Sequence, residues 1–180
     1  MSASDPIDWY SLSHSGVSSS QIASPSESSS ERTDALFAAF NVASYPVLIV
    51  DDNEGVCILI GRMLSNLGFK SIYIANSAKQ AYSIFGTQLA EIPTDPIIFL
   101  DLRLPDVPGE KVAKKIVEIR PSSKIILVTA EDSTAESAQE AMRQGASAYI
   151  QKPIGLAKIK SVLALIMKEL EAARSKGSEE

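Results

Sequence analysis

Short apolar runs alternate with helix-like patterns from Tyr45 to the end of the chain. The runs are rich in valine, isoleucine, leucine or aromatic residues and predict strands over 46–50, 70–75, 96–100, 124–129 and 148–151. The segments between them predict helices over 53–67, 77–90, 108–119, 133–144 and 155–174. The third and fourth runs are almost unbroken, which is typical of strands buried on both faces. Five strand–helix units with right-handed crossovers predict a doubly wound α/β fold, a five-stranded parallel sheet with helices on both sides.

The segment over 1–44 has a different composition from the rest of the chain. Serine makes up almost half of positions 1–30, and such a sequence buries too little apolar surface to order itself. The segment 1–44 carries five acids against one base, whereas 45–180 carries 17 acids against 16 bases. We therefore expect a disordered tail over 1–44, a domain over 45–174 and a frayed end over 175–180. Within the tail, Ile7, Trp9 and Tyr10 form a small apolar cluster, which fits either a solvated leader or a docking peptide.

Composition excludes several classes of function. The apolar runs are strand-sized, and no Lys or Arg precedes Arg32, so we expect a cytoplasmic protein without membrane insertion. A single cysteine, Cys57, and a single histidine, His14, exclude an intrachain disulfide and a Cys- or His-based metal site. The net charge of −5 argues against nucleic-acid binding, which needs a basic face.

Polar residues follow four of the predicted strands, at the edge where ligands bind in open α/β sheets: Asp51-Asp52, Asp101, Thr129 and Lys152. Taken singly, Asp52 fits a helix N-cap, Thr129 a structural role and Lys152 a solvated surface residue. Taken together, three carboxylates within ~4 Å would repel by about 4 kcal/mol per pair at an effective dielectric near 20. Such a cluster needs a cation, and ligands that are all oxygen favour Mg²⁺. A metal, a lysine and a hydroxyl around one carboxylate suit a phosphoryl group.

Four motifs in this order and spacing resemble the receiver domain of two-component response regulators, in particular the stand-alone chemotaxis type. They are Leu48-Ile49-Val50-Asp51-Asp52, Phe99-Leu100-Asp101-Leu102-Arg103-Leu104-Pro105 with Gly109, Leu127-Val128-Thr129-Ala130 and Ala148-Tyr149-Ile150-Gln151-Lys152-Pro153. The resemblance covers about residues 45–172. It implies a flavodoxin-like receiver fold with strand order 2-1-3-4-5.

The resemblance also implies the roles of the acidic residues. Asp101 would accept the phosphoryl group. Asp52, Asp101 and the backbone carbonyl of Arg103 would bind Mg²⁺ directly, and Asp51 would bind it through water.

Further roles follow from the same resemblance. Lys152 would contact a phosphoryl oxygen, and Thr129 and Tyr149 would form a switch pair. Arg103 and Glu131 occupy the positions that flank the path of the water that hydrolyses the acyl phosphate, so we expect them to modulate its lifetime.

The expected function is that of a phosphorylation-activated signalling switch, not an enzyme beyond its own phosphotransfer and autodephosphorylation. The phosphodonor would be the phosphohistidine of a sensor histidine kinase or of a His-phosphotransfer protein. The sequence after Pro153 is long enough for one helix and a frayed end, so we expect output through protein contacts. The face of the fourth predicted helix, the fifth strand and the fifth helix would bind a downstream protein target, or a second copy as a phosphorylation-dependent homodimer.

Two other functions stay open. An aspartate-nucleophile phosphatase of the haloacid-dehalogenase type would place a general acid two positions after Asp101, but Arg103 stands there and cannot serve. A phosphorylation-independent binding module would not need the acidic set.

Two local features depart from the simplest pattern. The stretch from Ala81 to Asp101 is longer than is usual in receiver domains, by about one turn of helix, which predicts an extended second helix or following loop. Leu165 lies opposite the apolar stripe of the fifth predicted helix, so we expect it to be exposed.

Overall fold

The five predicted strands form one parallel sheet. The structure is a computed structural model, and it describes residues 37, 40–130, 139–140 and 142–177. The strands are β1 (Val47–Val50), β2 (Ile72–Ala75), β3 (Ile97–Asp101), β4 (Lys124–Thr129) and β5 (Ala148–Gln151). Their order is β2-β1-β3-β4-β5, and every neighbouring pair is parallel. The predicted fold class and strand order are confirmed.

Helices connect the strands. A short 3₁₀ helix (Val42–Ser44) precedes the sheet, and α1 (Glu54–Asn66), α2 (Ala78–Thr87), α3 (Gly109–Ile119) and α4 (Leu156–Gly177) follow in chain order. The helix predicted over 133–144 lies largely outside the described residues, although 139–140 and 142–143 are helical. The C-terminal helix α4 is the fifth predicted helix.

The core has two halves, one on each face of the sheet. On one face α1 and α4 cover the sheet, for example through Ile60 and Leu163, and on the other face α2 and α3 cover it, through Phe85 and Val112. Every residue of β1 and β3 is buried, as expected for strands covered on both faces. The polar groups that end these strands are therefore held on a rigid base.

Two residues of the predicted tail belong to the core. Phe37 is 8% exposed and Val42 is 6% exposed, and both pack into the half of the core that α1 and α4 cover. The packed region thus begins before residue 45. The serine-rich composition is confined to the preceding part of the segment, and the residues around Phe37 and Val42 are mostly apolar.

Arg120 holds the long connection between α2 and β3. This residue follows α3 directly, and it donates from Nη1 to the carbonyl of Leu89 at 3.0 Å and from Nη2 to the carbonyl of Ile92 at 2.6 Å. Its Nε lies 2.9 Å from a carboxylate oxygen of Asp95. Leu89 itself is fully buried in the α2–α3 half of the core. The connection is therefore an ordered part of the fold.

The C-terminal helix exposes a different leucine from the one expected. Leu165 is half-buried, because it lies one helical turn after Val162, which borders the buried stripe and is itself partly covered. Leu156 is 41% exposed, since it is the first residue of the helix and no preceding turn covers it. The prediction for Leu165 was wrong.

Candidate functional site

The three predicted carboxylates lie together at the carboxyl edge of the sheet. Asp51 directly follows β1, and Asp101 is the last residue of β3; the register pairs Val50 with Leu100, which brings the two acids level. Oxygen atoms of Asp51, Asp52 and Asp101 lie within 4.8 Å of one another. Asp51 and Asp101 are buried, whereas Asp52 is exposed. The cluster thus has two fixed carboxylates and one facing solvent.

Backbone groups orient the two buried carboxylates. The N–H of Asn53 donates to Asp51 Oδ1 at 2.9 Å, and the N–H of Arg103 donates to Asp101 Oδ1 at 3.2 Å. Asn53 also caps α1, because its Oδ1 accepts from the N–H of Val56 at 3.2 Å. The start of α1 and the Asp51 carboxylate are therefore positioned by the same short turn.

Gly109 lets the loop after Asp101 fold back on itself. Its N–H donates to the carbonyl of Leu102 at 2.9 Å. A Cβ at this position would lie 2.6 Å from the Cα of Leu102, which no side chain tolerates. A glycine at this position follows from that close backbone approach.

Lys152 bridges the buried carboxylates. Its Nζ lies 2.8 Å from Asp51 Oδ2 and 3.0 Å from Asp101 Oδ2. Its backbone N–H donates to the carbonyl of Thr129 at 2.8 Å, which joins the ends of β4 and β5. The Lys152–Pro153 peptide bond is cis.

The protonation equilibria of these groups reflect burial and mutual contact. Burial would lower the pKa of Lys152, but the hydrogen bonds to Asp51 and Asp101 outweigh it and raise that pKa. Burial raises the pKa of Asp101, although the hydrogen bonds from Lys152 and from the N–H of Arg103 oppose the rise. Three carboxylates lie in the cluster and the Lys152 ammonium group contacts two of them, Asp51 and Asp101, so the cluster has the net negative charge and the oxygen donors that a hard divalent cation requires.

Of the two predicted switch residues, Thr129 lies at the same edge of the sheet as the cluster and Tyr149 lies within β5. Thr129 is fully buried at the end of β4, one residue beyond the partner of Asp101 in the sheet register. Tyr149 pairs with Leu127 in β5, and its half-buried ring packs against the α2–α3 half of the core. Burial raises the pKa of the Tyr149 hydroxyl.

The pair predicted to modulate hydrolysis is only partly described. The Arg103 side chain is exposed in the loop after β3, and Glu131 lies outside the described residues.

One acidic residue near the cluster, but outside it, was missed in the sequence. Asp106, in the loop after Asp101, accepts from the N–H groups of Ala78 and Lys79 at 2.9 Å each. The hydrogen bonds from the backbone N–H groups of Lys79 and Ala78 hold the pKa of Asp106 below its usual range. Asp106 therefore caps α2 from a distant part of the chain, a contact that local sequence does not reveal.

The arrangement of the acids, the lysine and the threonine at one sheet edge matches a known family. The family model of the response regulator receiver domain matches residues 47–164. The chain belongs to this family. Receiver domains bind Mg²⁺ at an acidic pocket, and the aspartate cluster here fits that chemistry.

Individual relatives are similar over the same region. The chemotaxis protein CheY of Treponema pallidum is 28% identical over 128 residues, which is 71% of this chain and 86% of that protein. The regulatory protein AtoC of Escherichia coli K12 is 33% identical over 110 residues, 61% of this chain and 22% of that protein. A CheY-like receiver domain from Methanospirillum hungatei has a TM-score of 0.63 and 25% identity, and the match covers 72% of this chain and 98% of that one.

These comparisons establish the general role. Residues 47–164 form a CheY-like receiver domain, a domain type of two-component systems that serves phosphorylation-dependent signalling. The match spans about a quarter of the length of transcriptional regulators such as ZraR of Escherichia coli K12. Among the described helices, none combines the length and the apolar character that crossing a bilayer requires.

Proposed function

We propose that Asp101 accepts a phosphoryl group from the phosphohistidine of a sensor histidine kinase or a His-phosphotransfer protein, with Mg²⁺ in the acidic cluster. The observation that carries this proposal is Lys152, whose ammonium group bridges Asp51 and Asp101. A partly buried cation next to a carboxylate suits the binding of an incoming anion there.

The choice of Asp101 among the three acids depends on its surroundings. Asp51 and Asp101 each accept from one backbone N–H and from Lys152, but Asp51 is 2% exposed and Asp101 is 6% exposed, so Asp51 is the more deeply enclosed. Asp52 faces solvent, and the lysine bridges the other two acids. Asp101 ends a strand beside Lys152 and beside Val128, the residue that precedes Thr129.

The transfer needs little from the protein beyond position and charge. A carboxylate oxygen of Asp101 forms the new P–O bond as the P–N bond to the donor imidazole breaks, and the imidazole keeps the electron pair and takes up a proton. Asp51, Asp52, Asp101 and the Arg103 carbonyl would hold Mg²⁺, which would neutralise the gathering negative charge. Lys152 would contact an oxygen of the phosphoryl group.

The direct test is labelling by a small phosphodonor such as acetyl phosphate with Mg²⁺. Mass spectrometry should find one phosphoryl group on the wild type and none on Asp101→Asn. Asp106→Asn is the matched control, because it makes the same change in the same loop outside the cluster, and it should be labelled normally. Undiminished labelling of Asp101→Asn would refute the assignment.

Exposed apolar side chains on the helix that follows Asp51 and Asp52 support a protein as phosphodonor. Ile58 is 44% exposed and Leu59 is 42% exposed, and both lie on the second turn of α1, which begins directly after the Asp51–Asn53 turn. Ile58→Asp should therefore slow phosphotransfer from a phosphohistidine protein and leave labelling by acetyl phosphate unchanged. Equal loss with both donors would show damage to the cluster and not to a docking surface.

We further propose that phosphorylation is transmitted by Thr129 and Tyr149 to the face that includes β5 and α4. The Thr129 hydroxyl would turn toward the phosphoryl group, and the half-buried Tyr149 ring would fill the space that it leaves. That face would bind a downstream protein target or a second copy, without nucleic acid. Thr129→Ala should accept phosphate but lose the change in amide exchange on this face that beryllofluoride induces, and Thr129→Ser should keep it.

For the lifetime of the phosphorylated state, we propose that Arg103 and Glu131 pair across the mouth of the cluster and hinder water. An exposed ion pair has an interaction free energy of about 0–1 kcal/mol. The pair should therefore slow hydrolysis of the acyl phosphate by at most roughly five-fold. Arg103→Ala and Glu131→Ala should then both lose phosphate faster than the wild type. Slower loss in both variants would contradict the shielding.

A further inference from the structure

A groove runs between α2 and α3, on the face of the sheet opposite to α1 and α4. It has a volume of about 690 Å³, and its apolar wall consists of Tyr82, Phe85, Val107 and Ile119. Ile119 is 57% exposed, the highest value for a large apolar side chain in the part of the chain that the structure describes. A groove of this size and lining suits a short apolar segment with a few aromatic groups.

The rim of the groove is cationic. Lys111, Lys114 and Lys115 line it and are all exposed, and Glu118 is the acid among the lining residues. Glu118 lies 3.6 Å from Lys115, so three lysines against one glutamate leave two net positive charges, carried by Lys111 and Lys114. The groove is thus complementary to a segment that has apolar side chains and a net negative charge.

The beginning of this chain has that chemistry. The segment 5–12 contains two acids, Asp5 and Asp8, interleaved with apolar residues, and no Lys or Arg occurs before Arg32. The apolar residues are Ile7, Trp9, Tyr10 and Leu12. We propose that this acidic–aromatic segment docks into the groove between α2 and α3 of its own chain. Its two negative charges match the two net positive charges of the rim, and its aromatic side chains match the apolar wall.

The chain is long enough to make this contact. A serine-rich stretch joins Tyr10 to Phe37, and Phe37 is anchored in the opposite half of the core. A stretch of that length spans roughly 30 Å as a flexible linker and up to about 90 Å when extended. The domain is roughly 35–40 Å across for its length. The linker is therefore long enough, when partly extended, to reach around the domain to the groove, so the contact can form within one chain.

The chain supplies its own reporter, because Trp9 is its only tryptophan. Acrylamide quenching of Trp9 in the full chain should be about three-fold weaker than in the free peptide of residues 5–12, since a groove of this kind covers roughly 70% or more of what it binds. The protection should decrease as salt is added, because the charges on the rim are exposed. Quenching equal to that of the peptide would overturn the proposal.

Reversing the charge of the lysines on the rim tests whether the segment binds in this groove. Lys111→Glu with Lys114→Glu should abolish the protection of Trp9, whereas Lys168→Glu, an exposed lysine on α4 of the opposite face, should keep it. Adding Asp5→Lys and Asp8→Lys to the double lysine variant should restore protection, which a general loss of stability would not allow. Protection that survives the double lysine variant would place the segment elsewhere and refute the groove as its site.

Dilution separates docking within one chain from docking between copies. The protection of Trp9 should stay constant over a roughly 100-fold dilution if the contact is intramolecular. Protection that disappears on dilution would show that a second copy supplies the segment, and would overturn the proposal as stated.

Discussion

Asp101 is a carboxylate that the folded protein holds at an energetic cost. Burial raises its pKa above that of an ordinary aspartate even though Lys152 and the N–H of Arg103 donate to it. A carboxyl with a raised pKa binds its proton more tightly in the folded state than in the unfolded state. In the metal-free protein its ionisation therefore lowers stability as pH rises through the raised pKa.

Asp101→Asn should accordingly stabilise the metal-free protein at neutral pH, because the amide cannot ionise. The gain should shrink as pH falls toward the range where aspartate is protonated in both states. Thermal unfolding with a chelator, from roughly pH 4, near the usual aspartate pKa, up to neutral pH, would measure this. A variant less stable than the wild type at neutral pH would show that the Lys152–Asp101 contact outweighs the burial of the charge.

Cys57 is a buried thiol with little tendency to ionise. Burial, and then the Asp51 carboxylate, raise its pKa to about 11, and its Sγ lies 3.3 Å from the carbonyl oxygen of Asp51. Since the thiolate is the reactive form, alkylation at neutral pH should be very slow in the native protein and fast in denaturant. Rapid modification by a maleimide without unfolding would contradict this and would indicate local opening of α1.

A single side chain, that of Arg120, holds the long connection between α2 and β3 in place. Arg120 donates to the carbonyls of Leu89 and Ile92 and pairs with Asp95, so it holds the connection at three places. The Arg120 side chain is 21% exposed, so these bonds are partly shielded from water. The ordered conformation of this long connection therefore depends strongly on Arg120, the residue that follows α3.

Arg120→Ala should lower the free energy of unfolding by about 2–3 kcal/mol, the range for losing hydrogen bonds to a charged group. The matched control is Arg143→Ala, whose side chain is 67% exposed and pairs with Glu140 in the adjacent helical turn, so its loss should be within about 0.5 kcal/mol. Urea unfolding of both variants gives the comparison. Equal effects of the two substitutions would mean that the Arg120 contacts contribute no more than a surface ion pair.

At the scale of the whole molecule, the cluster couples ion binding to folding. A ligand that binds only the folded state stabilises it, by about 2.7 kcal/mol at 100 times its dissociation constant. Mg²⁺ should thus raise the unfolding temperature of the wild type and of Asp106→Asn. It should have a much smaller effect on Asp52→Asn, which loses one carboxylate of the cluster. An unfolding temperature that Mg²⁺ leaves unchanged in the wild type would argue against a metal site here.

Much of the fold could be predicted from local patterns. The strands that are buried on both faces leave unbroken apolar runs, and Asp51 and Asp101 stand at the ends of two such runs in β1 and β3. Their proximity then follows from the parallel sheet. Lys152 follows β5 at the same edge of the sheet, and its contact with both acids agrees with that position.

The remaining features depend on partners far apart in the sequence. Asp106 accepts from the backbone N–H groups at the start of α2, and Arg120 donates to carbonyls in the connection that follows α2. Backbone groups have no sequence signature, so such contacts cannot be read from side-chain patterns. The exposure of Leu165 was predicted wrongly for a related reason. The burial of its side chain depends on how α4 is positioned over the sheet, which the helix's own sequence does not determine.

The early burial of Phe37 and Val42 matters to anyone who expresses only part of this protein. The family match begins at residue 47, after both of these side chains. A recombinant fragment cut at that point would lose these two side chains and also the buried Tyr45. Burial of a large apolar side chain contributes roughly 1.5–3 kcal/mol, against a typical domain stability of about 5–15 kcal/mol. The cut would also uncover apolar surface over α1 and α4, which favours aggregation. Poor solubility of such a fragment would then reflect the choice of its first residue and not a fragile receiver fold.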